Sequence, residues 1–236
     1  MRLFVEPGQT VIDCAPTFGM YAFAARLADA KLISVPRTST WDIDTPAMAE
    51  AIDGLTRIVF LASPNNPTGN LLSESDARTL LDTGVVLCID ETYYEFSGNT
   101  LSHLLDDYEN LVILRSFSKW AGIAGLRVGY AVGSTTLISH LMDIKQPYNI
   151  NIAGEAAVLA ALEHRDELLE RTKSLVEQRK KLEAVINDLD GVSYYPSHGN
   201  FLLCKFERRT ASQAFTELAK HGIFVRQFPQ TVLKDS

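Results

Sequence analysis

Cysteine is scarce in this sequence. Cys14, Cys88 and Cys204 are the three among 236 residues, each in or beside an apolar run and far from the others. No C-x-x-C pair occurs, which excludes a zinc cage or a disulfide framework and leaves buried free thiols as the expectation. The five histidines, His103, His140, His164, His198 and His221, show no ligand spacing, so no metal is expected. Long apolar runs are missing as well. The run 85–89 is strand-length, far short of the roughly 20 residues that span a bilayer. The opening MRLFVEPGQT holds one basic residue and no long apolar stretch, unlike a secretion signal. Basic residues are not in excess: 22 Lys+Arg against 29 Asp+Glu leave a net charge of −7, with no basic stripe for nucleic acid. Neither a nucleic acid nor a membrane is expected as a partner, and a reduced, cytoplasmic setting is the default.

What is present has the proportions of a folded protein. Hydrophobic residues make up 46% and charged residues 22%, which excludes disorder and fibrous repeats. Short apolar runs at 11–14, 32–35, 57–62, 85–89, 111–115 and 128–132 read as strands. Stretches 21–29, 73–82, 101–107 and 135–145 read as helices between them. Runs 58–62 and 85–89 are continuously apolar instead of alternating, the pattern of strands buried on both faces of a parallel or mixed sheet. The fold class is α/β. Beyond about residue 150 the texture changes: helices at 152–163 and 165–188, strands at 192–195 and 200–206, a helix at 211–221 and a strand at 223–226. The mixed charges of 165–181 read as the solvated face of a bridging helix.

Three strand ends carry chemistry. Ser63-Pro64-Asn65-Asn66-Pro67-Thr68-Gly69 follows the strand Val59–Ala62 as a rigid turn, at the edge where α/β sheets bind ligands. Asp90-Glu91, with Tyr93 close behind, ends the run 85–89, where a carboxylate is desolvated unless a cation or donors meet it. A triphosphatase metal site would need a G-x-x-x-x-G-K-[ST] loop, and none occurs. An acid holding a protonated ring nitrogen, or a plain helix cap, remains open. Ser116-Phe117-Ser118-Lys119 follows the strand 111–115, with Arg127 eight residues after the lysine. Hydroxyls, an amine and a guanidinium at one strand end suit a phosphate monoester attached to an aldehyde.

The order SPNNPTG, IDETYYEFSG, SFSKWAGIAGLRVGY resembles the aspartate-aminotransferase superfamily, the fold-type I enzymes that use pyridoxal phosphate. FVEPGQTVIDCAPTFGMY, DETYYEF, AGLRVGY and KQPYNIN are similar to the histidinol-phosphate aminotransferases within it. The resemblance spans the chain. It implies a three-layer large domain with a mixed, mostly parallel sheet over 1–150, connecting helices over 151–190, and an incomplete smaller α+β domain over 191–236. It implies that Lys119 carries pyridoxal phosphate, Asp90 pairs with the ring nitrogen, and Asn66 and Tyr93 bond its phenolic oxygen. Ser116, Ser118 and Arg127 then bind the phosphate, Phe18 stacks on the ring, and Arg226, with Asn66, meets the substrate. Lys119, Asp90 and Tyr93 are the catalytic candidates.

The implied reaction moves an amino group between L-histidinol phosphate and 2-oxoglutarate in histidine biosynthesis, in a homodimer. The alternatives are decarboxylation of a phosphorylated amino acid such as threonine phosphate, and a truncated remnant without turnover. The family's Gly-rich loop before the position of Met1, and a further arginine beyond Ser236, are not in the sequence. On that ground the chain reads as truncated at both ends, ending on Val-Leu-Lys-Asp-Ser without a closing element.

Overall fold

The computed structural model describes residues 1–228 and Leu233; the expected open end at 232–236 otherwise lies outside them. Strands β1 (Thr10–Ala15), β2 (Lys31–Pro36), β3 (Thr56–Ala62), β4 (Val86–Asp90), β5 (Leu111–Ser116) and β6 (Gly129–Gly133) form one sheet in the order β2-β1-β3-β4-β5-β6. Every neighbour pair is parallel except β5 with β6, so the sheet is mixed and mostly parallel.

Strand periodicity assigns the two faces. Ile12, Cys14, Val59, Leu61, Leu87, Ile89, Leu111 and Ile113 point to one side. There they meet Met48 of α2 (Thr45–Ala51) and Ala77, Leu80 and Leu81 of α3 (Glu74–Leu81). Val11, Ile58, Phe60, Cys88 and Val112 point to the other side, against Tyr21 and Ala25 of α1 (Met20–Leu27). Alternate residues of a strand face opposite ways, and both faces here are covered, so the runs contain no polar alternation. Each fully buried Leu or Ile contributes about 1.5–3 kcal/mol by leaving water. The crossover through α1 leaves β1 in one direction and the later strands build in the other. This places a topological switch between β1 and β3, the usual crevice for a ligand.

Side-chain caps start several helices: Asp44 accepts from the Ala47 N–H at 3.1 Å and Ser73 from the Asp76 N–H at 3.1 Å. The short α4 (Tyr94–Ser97) follows β4, and α5 (Thr135–Ile144) follows β6. Helices α6 (Ile152–Glu163) and α7 (Arg165–Asn187) lead to a two-stranded antiparallel sheet of β7 (Val192–Tyr195) and β8 (Leu203–Phe206), followed by α8 (Ala211–Lys220). A third cluster, with Tyr93, Phe96, Phe117, Trp120 and Ala161 at its centre, seats α6 and α7 against the loops after β4 and β5.

Four expectations need correction. The helix over 101–107 is a 3-10 helix, Ser102–Asp106, whose turns close through Leu104 N–H to Leu101 O and Asp107 N–H to Leu104 O. The strand over 200–206 starts only at Leu203, because β7 offers four partners and ends opposite it. Residues 223–226 form no strand: β7 and β8 pair with each other, and neither offers 223–226 a ladder. Cys204 is half-buried, unlike Cys14 and Cys88. Helix α2, unread in the sequence, is one of the shorter helices and has a proline in its first turn.

Candidate active site

Strands β3, β4 and β5 are parallel neighbours, so the loops that follow them open on one edge. A cavity of about 220 Å³ lies there, lined by Phe18, Asn66, Asp90, Tyr93, Ser116, Ser118, Lys119 and Arg127. Eight of the nine residues singled out in the sequence thus share one chamber. Arg226 does not reach it. That arginine lines an adjoining chamber of about 790 Å³ beside Gln227 and Phe228, and the two chambers meet along Phe18, Asn66 and Tyr93.

Asp90 ends β4 on the same face as Cys88, the face that α1 covers. Tyr21 of α1 stacks on Phe60 at 5.1 Å and 13°, and its hydroxyl donates to Asp90 Oδ2 at 2.9 Å. The Thr92 N–H donates to Oδ1 at 3.0 Å. Both carboxylate oxygens therefore have a donor, which offsets the cost of removing the group from water. Asp90 does not cap a helix, since the N-cap of α4 is Tyr93. Burial first, and the adjacent Asp90 next, push the Tyr21 phenol well above its ordinary pKa, so it stays a neutral donor.

Glu91, one residue on, faces elsewhere. It is buried and receives Arg115 at 2.6 Å, the Thr100 hydroxyl at 2.9 Å and the Leu101 N–H at 2.8 Å. Arg115 also lies 3.5 Å from the centre of the Tyr94 ring. Glu91 is thus a structural ion-pair partner with no place in the chamber.

On the opposite wall, Asn66 Nδ2 donates to the Tyr93 hydroxyl at 3.2 Å. Burial raises the Tyr93 pKa and the Asn66 hydrogen bond opposes that rise. Lys119 Nζ stands 5.7 Å from the Tyr93 ring centre. Arg127 adopts a left-handed backbone (φ 59°, ψ 44°), a conformation that costs a non-glycine residue about 1–2 kcal/mol. Its guanidinium donates to Ala124 O at 2.9 Å. The Ser118 N–H donates to Ser116 Oγ at 3.1 Å, which shapes the turn before Lys119. Phe18 is 45% exposed, lies roughly perpendicular to the Tyr21 ring and lines both chambers.

Several residues that the sequence reading missed hold this arrangement together. The fully buried Asn65 accepts from Thr17 Oγ1 at 2.7 Å and donates to Pro16 O at 3.0 Å, binding the Phe18 loop to the Asn66 loop. Gly69 has φ +81°, and a Cβ there would lie 2.6 Å from Ser197 Cα, so the Asn66 loop presses directly on the segment before β8. The His198 N–H donates to Gly69 O at 2.9 Å. Arg179 of α7 donates to Gly199 O and pairs with Glu183 at 3.1 Å, an exception to the solvated face expected of that helix. Apart from the i,i+4 pair Arg179–Glu183, these contacts depend on long-range packing, and local sequence carries no signal of them.

The donor set suits a small anionic ring compound. The lining supplies a carboxylate for a basic nitrogen, and a guanidinium and two hydroxyls suited to a phosphate. The Lys119 amine lines the same cavity.

Residues 1–235 match the family model described as aminotransferase class I and II. The chain belongs to this family. Among relatives within it, a histidinol-phosphate aminotransferase of Roseiflexus castenholzii is 44% identical over 240 residues, covering 100% of this chain and 64% of that protein. The chloroplastic histidinol-phosphate aminotransferase 1 of Arabidopsis thaliana is 40% identical, over 99% of this chain and 57% of that protein. The chain spans less than two thirds of the length of these family members. The crystal structure of histidinol-phosphate aminotransferase from Sinorhizobium meliloti in complex with pyridoxal-5'-phosphate superposes with a TM-score of 0.87 at 27% identity. It covers 99% of this chain and 66% of that one. The three-layer family fold matches the sheet and helices described above. No helix among the described residues is long and apolar enough to cross a membrane.

Proposed function

We propose that this protein is a pyridoxal-phosphate-dependent aminotransferase that moves the amino group of L-histidinol phosphate to 2-oxoglutarate. The products are imidazole acetol phosphate and L-glutamate, as in histidine biosynthesis. The observation that carries the reading is the single cavity bounded by Asp90, Lys119 and Arg127. The names of relatives at 40–44% identity support the substrate, and the pyridoxal-5'-phosphate in the Sinorhizobium meliloti structure supports the cofactor.

The residues divide the work. Arg127, Ser116 and Ser118, which all line the chamber, bind the phosphate. Asp90, held by two donors, would pair with the protonated ring nitrogen. Asn66 and Tyr93 bond the phenolic oxygen, and Phe18 covers one ring face. Bound pyridoxal phosphate supplies an electron-poor ring that stabilises a carbanion at the substrate α-carbon. Lys119 would hold the cofactor at its aldehyde and, when free, would accept and return the proton of the substrate α-carbon. Arg226, in the larger chamber, receives the anionic end of the substrate.

We infer further that the protein works as a homodimer in the cytoplasm. Met142, Ile144, Tyr148 and Ile152 are exposed apolar residues close together in the chain, which supports a covered face. The division into 1–150, 151–190 and 191–236 belongs to the same reading, with the two separate sheets in its favour.

The test is a screen of amino donors by absorbance after pyridoxal phosphate is added. Histidinol phosphate is expected to react faster than threonine phosphate or aromatic amino acids, with turnover dependent on 2-oxoglutarate. Carbon dioxide release from threonine phosphate without a keto acid would replace this reading with a decarboxylase. A protein that develops no visible absorbance would be a non-catalytic chain.

A further inference from the structure

We propose that Tyr21 is a positioning residue for the reaction: its hydroxyl holds the Asp90 carboxylate in place at the chamber, toward the cofactor's ring nitrogen. The inference rests on the reading given above and adds a residue that the motifs did not single out.

Three observations carry it. The Tyr21 hydroxyl donates to Asp90 Oδ2 at 2.9 Å, while Oδ1 is taken by the Thr92 N–H. Tyr21 is itself fixed, 6% exposed, its ring stacked on Phe60 of the adjacent strand and edge-on to Phe18. Both Tyr21 and Asp90 line the cavity that also holds Lys119, so the hydrogen bond borders the ligand space.

The physical consequence concerns where one proton resides. A buried carboxylate facing a protonated ring nitrogen can take that proton and leave a neutral pair. A donor on the carboxylate lowers its basicity and opposes that transfer, which keeps the charge on the ring. The raised pKa of the phenol agrees, because a neutral hydroxyl donates where a phenolate would repel Asp90. Phe60 matters only through the angle at which it holds the Tyr21 ring.

The experiment compares the wild type with Tyr21→Phe, which keeps the stacked ring and removes the donor. Both proteins are loaded with pyridoxal phosphate labelled at the ring nitrogen. The variant is expected to bind cofactor with a visible band, while its nitrogen NMR resonance moves toward the unprotonated position. The first-order rate with histidinol phosphate should fall about tenfold, the loss of one hydrogen bond to a charged group. The half-saturating substrate concentration should stay within about twofold, since Tyr21 meets Asp90 and not the substrate.

Should Tyr21→Phe not fold, Phe60→Leu decides. It retains the hydroxyl but frees the ring, and a smaller shift of the same resonance in the same direction is expected. An unchanged resonance in a folded, cofactor-loaded variant overturns the inference, even if thermal stability falls, because a merely structural tyrosine would behave that way. A wild-type protein that binds no cofactor overturns the reading of the site and this inference with it.

Discussion

The ring of Phe201 stands edge-on to the ring of Tyr93, centroids 5.0 Å apart and planes at 78°. The Tyr93 hydroxyl accepts from Asn66, and Tyr93 lines the smaller chamber, so the segment leading into β8 touches that chamber's wall. Phe201→Ala is expected to destabilise the protein by about 2 kcal/mol, the aromatic contact plus part of a side chain's burial. It should also weaken pyridoxal phosphate binding severalfold. Urea denaturation and a cofactor titration check the two halves; full retention of affinity would show that Tyr93 does not need this support.

Lys119 lines the smaller chamber beside the Tyr93 ring. Lys119→Ala is expected to lose the visible band and all borohydride-trapped cofactor, which mass spectrometry of the reduced protein detects. A trapped adduct in the variant would assign the covalent role to another amine.

Asp90 is held by Tyr21 and the Thr92 N–H, a site prepared for one cationic partner. Asp90→Ala should still bind some cofactor, because Arg127, the serines and Lys119 remain. Proton removal from the substrate should slow by about 100-fold or more, the scale for deleting an electrostatic partner of the reacting group. Stopped-flow measurement of the half-reaction reads this directly. An undiminished rate would remove the acid from the mechanism.

Arg115 and Glu91 form a buried ion pair 2.6 Å apart, with side chains 11% and 1% exposed. Arg115→Met leaves Glu91 buried without its cation and should cost about 3–5 kcal/mol in urea denaturation. The double variant Arg115→Met, Glu91→Leu should recover part of that loss, because no lone charge is then left inside. Equal losses in the single and double variants would mean that packing against Tyr94, not charge, dominates.

Glu95 has a buried Oε2 without a hydrogen-bond partner among the described residues, and burial pushes its pKa up to about 7, with Arg115 opposing. The folded protein therefore binds this proton more tightly than the unfolded chain does. Stability linked to Glu95 is full below the ordinary value of 4.5 and declines as pH rises toward 7. Glu95→Gln should flatten that decline and raise stability at pH values above 7 by about 1 kcal/mol. Thermal unfolding across this range checks it; parallel curves for wild type and variant would refute the assignment.

The sequence by itself determined the α/β class and the strand-end positions of Asn66, Asp90, Ser116 and Lys119. Continuous apolar runs such as 85–89 report burial on both faces, and turn and strand signals are local. It also bore the ordered motifs that mark the family. Tertiary structure decided the rest. Whether Asp90 or Glu91 enters the chamber follows from which sheet face α1 covers, and Tyr21 meets Asp90 because β3 sets Phe60 beside it. Asn65, Gly69 and Arg179 act across 20 residues or more, through contacts no local pattern encodes. Residues 223–226 read as a strand because Ile223, Phe224 and Val225 are apolar, yet a strand exists only where a neighbour supplies the other half of its hydrogen bonds.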